Sequence, residues 1–108
     1  MSNVILYSRV STTDQKEHGH SLRAQKQALY SYCEYSGYNV IGYYEEDYTA
    51  TTFKRPEWTK LKEYVRSNKK SVDKILMIRW DRFSRNVEQA LGEIRRFAEN
   101  YGVEINTV

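Results

Sequence analysis

The run Val4-Ile5-Leu6-Tyr7-Ser8-Arg9-Val10-Ser11-Thr12 decides how the chain is read. Its first four residues are apolar and short enough for a buried strand. A hydroxyl cluster then breaks the pattern, with Arg9 two positions before Ser11. In an open α/β sheet, ligands bind outside the carboxyl ends of the strands, where loops and helix starts converge. Ser11 therefore stands where a nucleophile would be wanted, with the fixed cation of Arg9 beside it. Taken alone, Ser11 is better explained as a helix cap, since Ser, Thr and Asp are ordinary cap residues. The remainder of the chain shifts that balance.

Moving outward, the pattern predicts strand alternating with helix. Strand one spans Asn3–Ser8, and Thr12–His20 reads as a loop or frayed helix start. Leu22, Gln25, Ala28, Leu29, Tyr32, Cys33 and Tyr35 have amphipathic helix spacing, stopped at Gly37. Strand two covers Tyr38–Tyr44, followed by a polar, Thr-rich loop over Glu45–Lys54. Pro56 suits a helix first turn, and Trp58, Leu61, Tyr64 and Val65 give that helix an apolar face. Strand three, Lys74–Trp80, looks buried on both faces. Asn86 can cap a third helix with the stripe Val87, Ala90, Leu91, Ile94, Phe97, Ala98 and Tyr101, ended by Gly102. Val103–Val108 forms strand four. This alternation predicts a three-layer Rossmann-like α/β domain with a mainly parallel sheet and helices on both faces.

Composition sets further bounds. The 108 residues make one domain, 40% hydrophobic and 29% charged, with one Pro and five Gly. No apolar run approaches a membrane span and no signal-peptide core follows Met1, so a cytoplasmic protein without membrane attachment is expected. Cys33 is the single cysteine, which fits a reducing compartment. The net charge of +3 is unevenly placed: Lys54–Arg85 holds eleven Lys and Arg against four Asp and Glu. Such a basic segment points to an anionic partner, phosphate above all. Lys60, Lys62, Lys69 and Lys70 are read instead as a solvated helix face. Ending on a strand suggests a fragment of a larger protein.

Three strand ends supply the groups that can do chemistry: Arg9, Ser11 and Gln15; then Glu46, Asp47, Thr49 and Arg55; then Asp81, Arg82, Ser84 and Arg85. In a parallel sheet all three sets can face one crevice. Attack on a phosphodiester builds negative charge on phosphoryl and leaving oxygens. Fixed arginines can stabilise that charge by electrostatics and paired hydrogen bonds. A serine hydroxyl would divide the reaction into two steps through a phosphoester.

Other chemistries fit less well. There is no glycine fingerprint or Walker-type loop for a nucleotide, which also counts against a small-molecule phosphoryl enzyme. A hydrolase triad would have to use His18 or His20, and no nucleophile elbow surrounds any serine. His18, His20 and Cys33 lack a further matched ligand, so no metal is expected. The ten tyrosines sit mostly at packing positions.

The motifs resemble those of the serine recombinases, the resolvase/invertase superfamily. Tyr7-Ser8-Arg9-Val10-Ser11-Thr12 with Gln15 resembles the opening motif, and Ser21-Leu22-Arg23-Ala24-Gln25 the next signature. Arg55-Pro56 resembles the Arg-Pro after strand two, and Trp80-Asp81-Arg82-Phe83-Ser84-Arg85-Asn86 the Asp-Arg-Leu-x-Arg signature. The four occur in order over nearly the whole chain. The polar loop before Ser21 and the Phe53-Lys54-Arg55-Pro56 run look more like the large integrase/transposase members.

The resemblance implies site-specific recombination of double-stranded DNA. Ser11 would join to the 5′ phosphate and free a 3′ hydroxyl, and Arg9, Arg55, Arg82 and Arg85 would bind and activate the phosphate. Either Arg82 or Arg85 would help protonate the leaving oxygen, and Asp81 would orient the arginines or assist proton transfer. Gln15 and Gln25 would support by hydrogen bonds. It further implies no cofactor, a dimer and tetramer in the synaptic complex, and residues 1–108 as a catalytic domain cut before its long dimerisation helix and DNA-binding part. One departure stands out. The usual Asp-x-x-Ser-Gly is matched by Glu46-Asp47-Tyr48-Thr49-Ala50, so the carboxylate is Glu46 or a shifted Asp47, with Thr49 for the serine. The rival reading is a non-catalytic α/β module that binds DNA or a partner. The intact Ser11 and four arginines count against it.

Overall fold

The computed structural model describes residues 2–10, 22–47, 55–68, 70–80 and 86–108, with the side chain of Asp47 set aside. Its elements are β1 (Asn3–Val10), α1 (Leu22–Ser36), β2 (Asn39–Asp47), α2 (Pro56–Ser67), β3 (Lys74–Met77), α3 (Val87–Tyr101) and β4 (Glu104–Thr107). Four strands form one sheet in the order β2-β1-β3-β4, every described pair parallel. The expected α/β architecture is therefore present, with helices on both faces. The predicted loop over Thr12–His20 lies outside the described residues.

β1 is central because it can be buried on both faces; Val4 to Val10 are all buried. On one face, α1 packs Leu29 and Cys33 against Val4, Leu6 and Leu76. On the other, Trp58, Leu61 and Val65 of α2 and Ala90 and Phe97 of α3 meet Ile5, Tyr7, Ile75, Met77 and Ile105. Gly37 ends α1 with φ 73° and Gly102 ends α3 with φ 66°, the left-handed geometry that suits glycine. Asn86 caps α3 by accepting from the Gln89 N–H at 3.1 Å.

Three boundaries differ from the sequence expectation. β1 runs on to Val10 and β2 to Asp47, because their ladder continues through Ser8↔Glu45, Arg9↔Glu46 and Val10↔Asp47. β3 stops at Met77, short of Trp80, where its partner β4 also ends at Thr107. β3 pairs with β1 only as far as Leu6. The β1–β2 ribbon thus projects four residues past that pairing, about 13 Å at strand spacing. The strand order also reverses here, since the chain leaves β1 for β2 on one side and returns for β3 on the other. Such a switch point is where open parallel sheets hold their ligands.

The α3 stripe is narrower than expected. Ala90, Glu93 and Phe97 are buried, whereas Val87 and Leu91 are exposed. Glu93 takes a core position because its Oε1 pairs with Lys62 of α2 at 3.4 Å and with Arg96 at 2.7 Å. Lys62 is accordingly an inter-helix tie, while Lys60 is exposed and pairs with Glu57.

Candidate active site

A bulge decides which face of β2 carries Glu46. Val4 pairs with Val40, but Ile5 pairs with Gly42, so Ile41 is an extra residue in β2. One added residue inverts the in/out parity of everything after it. Val40 and Tyr43 accordingly pack with the α1 face, and Tyr44 with the α2–α3 face. Glu46 shares the parity of Tyr44 and lies opposite Arg9 in the ladder. It is 3% exposed, and its carboxylate reaches the start of α2.

There it completes the hydrogen bonding of the helix. A helix start leaves backbone N–H groups without intrahelical partners. Pro56 has none to satisfy. The Glu57 N–H donates to Glu46 Oε1 at 2.9 Å, the Trp58 N–H to Glu46 Oε2 at 3.3 Å, and the Thr59 N–H to the Arg55 carbonyl at 2.9 Å. Arg55 holds the cap position yet supplies no side-chain cap. Glu46 supplies it from β2, where a negative charge also suits the helix dipole. The Tyr7 hydroxyl donates a hydrogen bond to Glu46 Oε2.

Arg9 and Arg55 are 0% and 1% exposed, uncommon for arginine and a sign of built-in partners. Burial pushes the Tyr7 phenol well above its ordinary range. The Glu46 hydrogen bond and charge add to that shift, while Arg55 and Arg9 pull against it. Tyr7 thus stays a neutral donor between a carboxylate and two guanidinium groups. From the opposite face, Gln25 Nε2 of α1 donates to the Arg9 carbonyl at 3.1 Å, which fixes the backbone just before Ser11.

Of the expected site residues, the structure gathers Arg9, Gln25, Glu46 and Arg55 around the projecting end of β1. Asp47 continues the ladder opposite Val10, and its side chain lies outside the described residues, as do Ser11, Gln15, Thr49, Asp81, Arg82 and Arg85. Tyr7 was missed as a site residue. Its signal was its place two residues before Arg9, on the same face of the strand. Cys33 lies in the core beneath α1. No group of three His, Cys, Asp or Glu that could hold a metal occurs among the described residues. None of their helices is long and apolar enough to cross a membrane.

The all-parallel fold with this strand order points to the serine recombinases. The family described as Resolvase, N terminal domain, matches residues 4–108, and the chain belongs to it. It is thus a domain of the enzymes of site-specific recombination.

Solved structures agree with that assignment. The N-terminal catalytic domain of TP901-1 integrase superposes with a TM-score of 0.83 at 25% identity, covering 96% of this chain and 75% of that one. The C-terminal catalytic domain of ISC1926 TnpA, an IS607-like serine recombinase, gives 0.81 at 28% identity, covering 97% and 68%. A resolvase family site-specific recombinase from Streptococcus pneumoniae gives 0.79 at 31% identity, covering 97% and 70%. Immunity region protein 3 of Bacillus phage phi105 is 40% identical over 55 residues, half of this chain and 67% of its own length.

Proposed function

We propose that this domain cuts and rejoins double-stranded DNA through a phosphoserine at Ser11, as part of a recombinase of a mobile element. The observation that carries the proposal is the burial of Arg9 and Arg55 at the projecting carboxyl end of β1, one residue short of Ser11. Two buried guanidinium groups suit an anion whose charge grows during reaction.

In the reaction, Ser11 Oγ forms a bond to phosphorus and the bond to the 3′ oxygen breaks. The serine proton is lost and the departing 3′ oxygen gains one. Arg9 and Arg55 hold the phosphoryl oxygens, joined by Arg82 and Arg85, while Asp81 orients the arginines and Gln15 supports the site. Gln25 steadies the strand that carries Arg9. Because one phosphoester replaces another, religation is the same step reversed, with a 3′ hydroxyl from a different strand as attacker. The likeness to TP901-1 integrase and to ISC1926 TnpA favours an integrase or transposase role, with dimers and tetramers assembling on DNA. Phosphate contacts would supply most of the affinity, which should fall steeply with salt.

The test is Ser11→Ala in the intact protein on DNA spanning the ends of its own element. Cleavage should vanish while DNA binding and the fold persist. Cleavage that survives the substitution would assign the nucleophile elsewhere.

A further inference from the structure

Helices α1 and α2, on opposite faces of the sheet, place their charges differently. Every charged side chain of α2 has an ion-pair partner within the chain: Glu57 with Lys60, Glu63 with Arg66, and Lys62 with Glu93. Its acid Glu57 lies in the first turn and its base Arg66 in the last, as the helix dipole favours. α1 reverses this, with no acid in its first turn and no base in its last. Arg23 stands near its start and Glu34 near its end, both exposed. Neither has an ion-pair partner among the described residues. They lie about 16 Å apart along the axis and cannot pair within one helix.

The residues between them complete a surface. Arg23, Gln27, Tyr30 and Glu34 are all exposed, at spacings of four, three and four. Such spacings keep one straight stripe on a helix. At its middle the Tyr30 ring leans on Tyr43 of β2, with centroids 6.1 Å apart, and Lys26 Nζ lies 4.9 Å from the centre of the same Tyr43 ring. Tyr30 is thus already held, so little side-chain freedom remains to be lost on binding. Turned end for end, the stripe meets itself: Arg23 faces Glu34, and Gln27 faces Tyr30, twice over. A twofold axis midway between Gln27 and Tyr30 produces that pairing, as an isologous contact requires. Each Glu34 then lies beside the start of the other helix, where a negative charge is favourable.

We infer that the outer face of α1 is a homotypic docking surface, which takes the same face of a second copy of this chain in antiparallel orientation. It does not rest on the reaction proposed above. One helix face buries less area than a stable dimer needs, so the contact is weak and counts most where copies are already held together.

The experiment is sedimentation equilibrium of the 108-residue chain, at concentrations up to about 1 mM, the range of weak contacts. The wild type should associate reversibly to dimers. Arg23→Glu and Glu34→Arg each turn both ion pairs into like-charge contacts, and each should weaken the dimer about tenfold. Both side chains are exposed, so the fold should persist, which circular dichroism checks. The double variant Arg23→Glu/Glu34→Arg should recover wild-type association. An equimolar mixture of the two single variants should also associate, because two acids of one chain then face two bases of the other.

A wild type that stays monomeric throughout overturns the inference. So does a dimer that ignores the charge reversals, or one that neither the double variant nor the mixture restores.

Discussion

Arg9 and Glu46 are register partners on β1 and β2, and both are buried. A buried charge is costly unless it is hydrogen-bonded or paired, and the Glu46 carboxylate meets that cost with the Tyr7 hydroxyl and two backbone N–H groups. The relationship also ties the proposed site to folding. The carboxylate opposite Arg9 in the ladder is the one that starts α2.

Glu46→Ala should therefore destabilise strongly. It removes the acceptor of two backbone N–H groups and of the Tyr7 hydroxyl, and leaves nearby buried arginines less compensated. The expected loss is about 3 kcal/mol, the scale for breaking a buried charged network. Urea unfolding should show a lower midpoint at unchanged slope. A loss below about 0.5 kcal/mol, within the range of an ordinary surface change, would mean that Glu46 holds nothing.

Gln25→Leu tests the support beneath Arg9. It keeps the α1 stripe apolar but frees the Arg9 carbonyl of its 3.1 Å donor. A buried acceptor without its partner costs about 1–3 kcal/mol, an upper figure for a site where Leu adds some apolar packing. Cleavage should fall more than DNA binding, because the displaced backbone leads directly into Ser11. Equal losses in both would make Gln25 a general stabiliser.

Stability should decline at alkaline pH. Tyr7, Tyr43 and Tyr44 are all raised above the ordinary tyrosine value, chiefly by burial. Their folded forms keep the proton where the unfolded chain releases it. The contribution is complete below about pH 10, the unfolded value, and is lost as pH rises above it. Tyr7→Phe should make the decline shallower by up to about 1.4 kcal/mol per pH unit, one proton's worth. Denaturant midpoints between pH 8 and 11 measure it, and identical slopes would show that Tyr7 titrates freely.

Cys33 should resist alkylation. It is 1% exposed, and burial raises its thiol, so little reactive thiolate is present or accessible. A maleimide should label it only as fast as the domain opens, and quickly in urea. Rapid labelling of the native protein would contradict the packing of α1 on the sheet.

Most of the fold was legible because its strands and helices carry clean apolar periods. Ile75-Leu76-Met77 announces a buried strand, and Asn86 and Gly102 bracket α3. The end of β2 was not, since Glu45-Glu46-Asp47 looks like loop until its pairing with β1 is known. Glu93 was hidden for a similar reason: only Lys62, on another helix, makes its burial tolerable. Arg9, Arg55 and Gln25, which the structure gathers near the end of β1, were singled out from motif and order. The placement of Glu46 at the α2 start was not, because it turns on the bulge at Ile41. Tyr7 escaped notice because its hydroxyl partner lies 39 residues away.

The most direct measurement is the site of covalent attachment. The intact protein is mixed with DNA carrying the ends of its element, quenched with detergent, digested and examined by mass spectrometry. The account predicts a nucleotide remnant on Ser11, joined to the 5′ phosphate of the cut strand. A protein that binds this DNA and assembles on it, yet leaves no adduct or leaves it on another residue, would contradict the account.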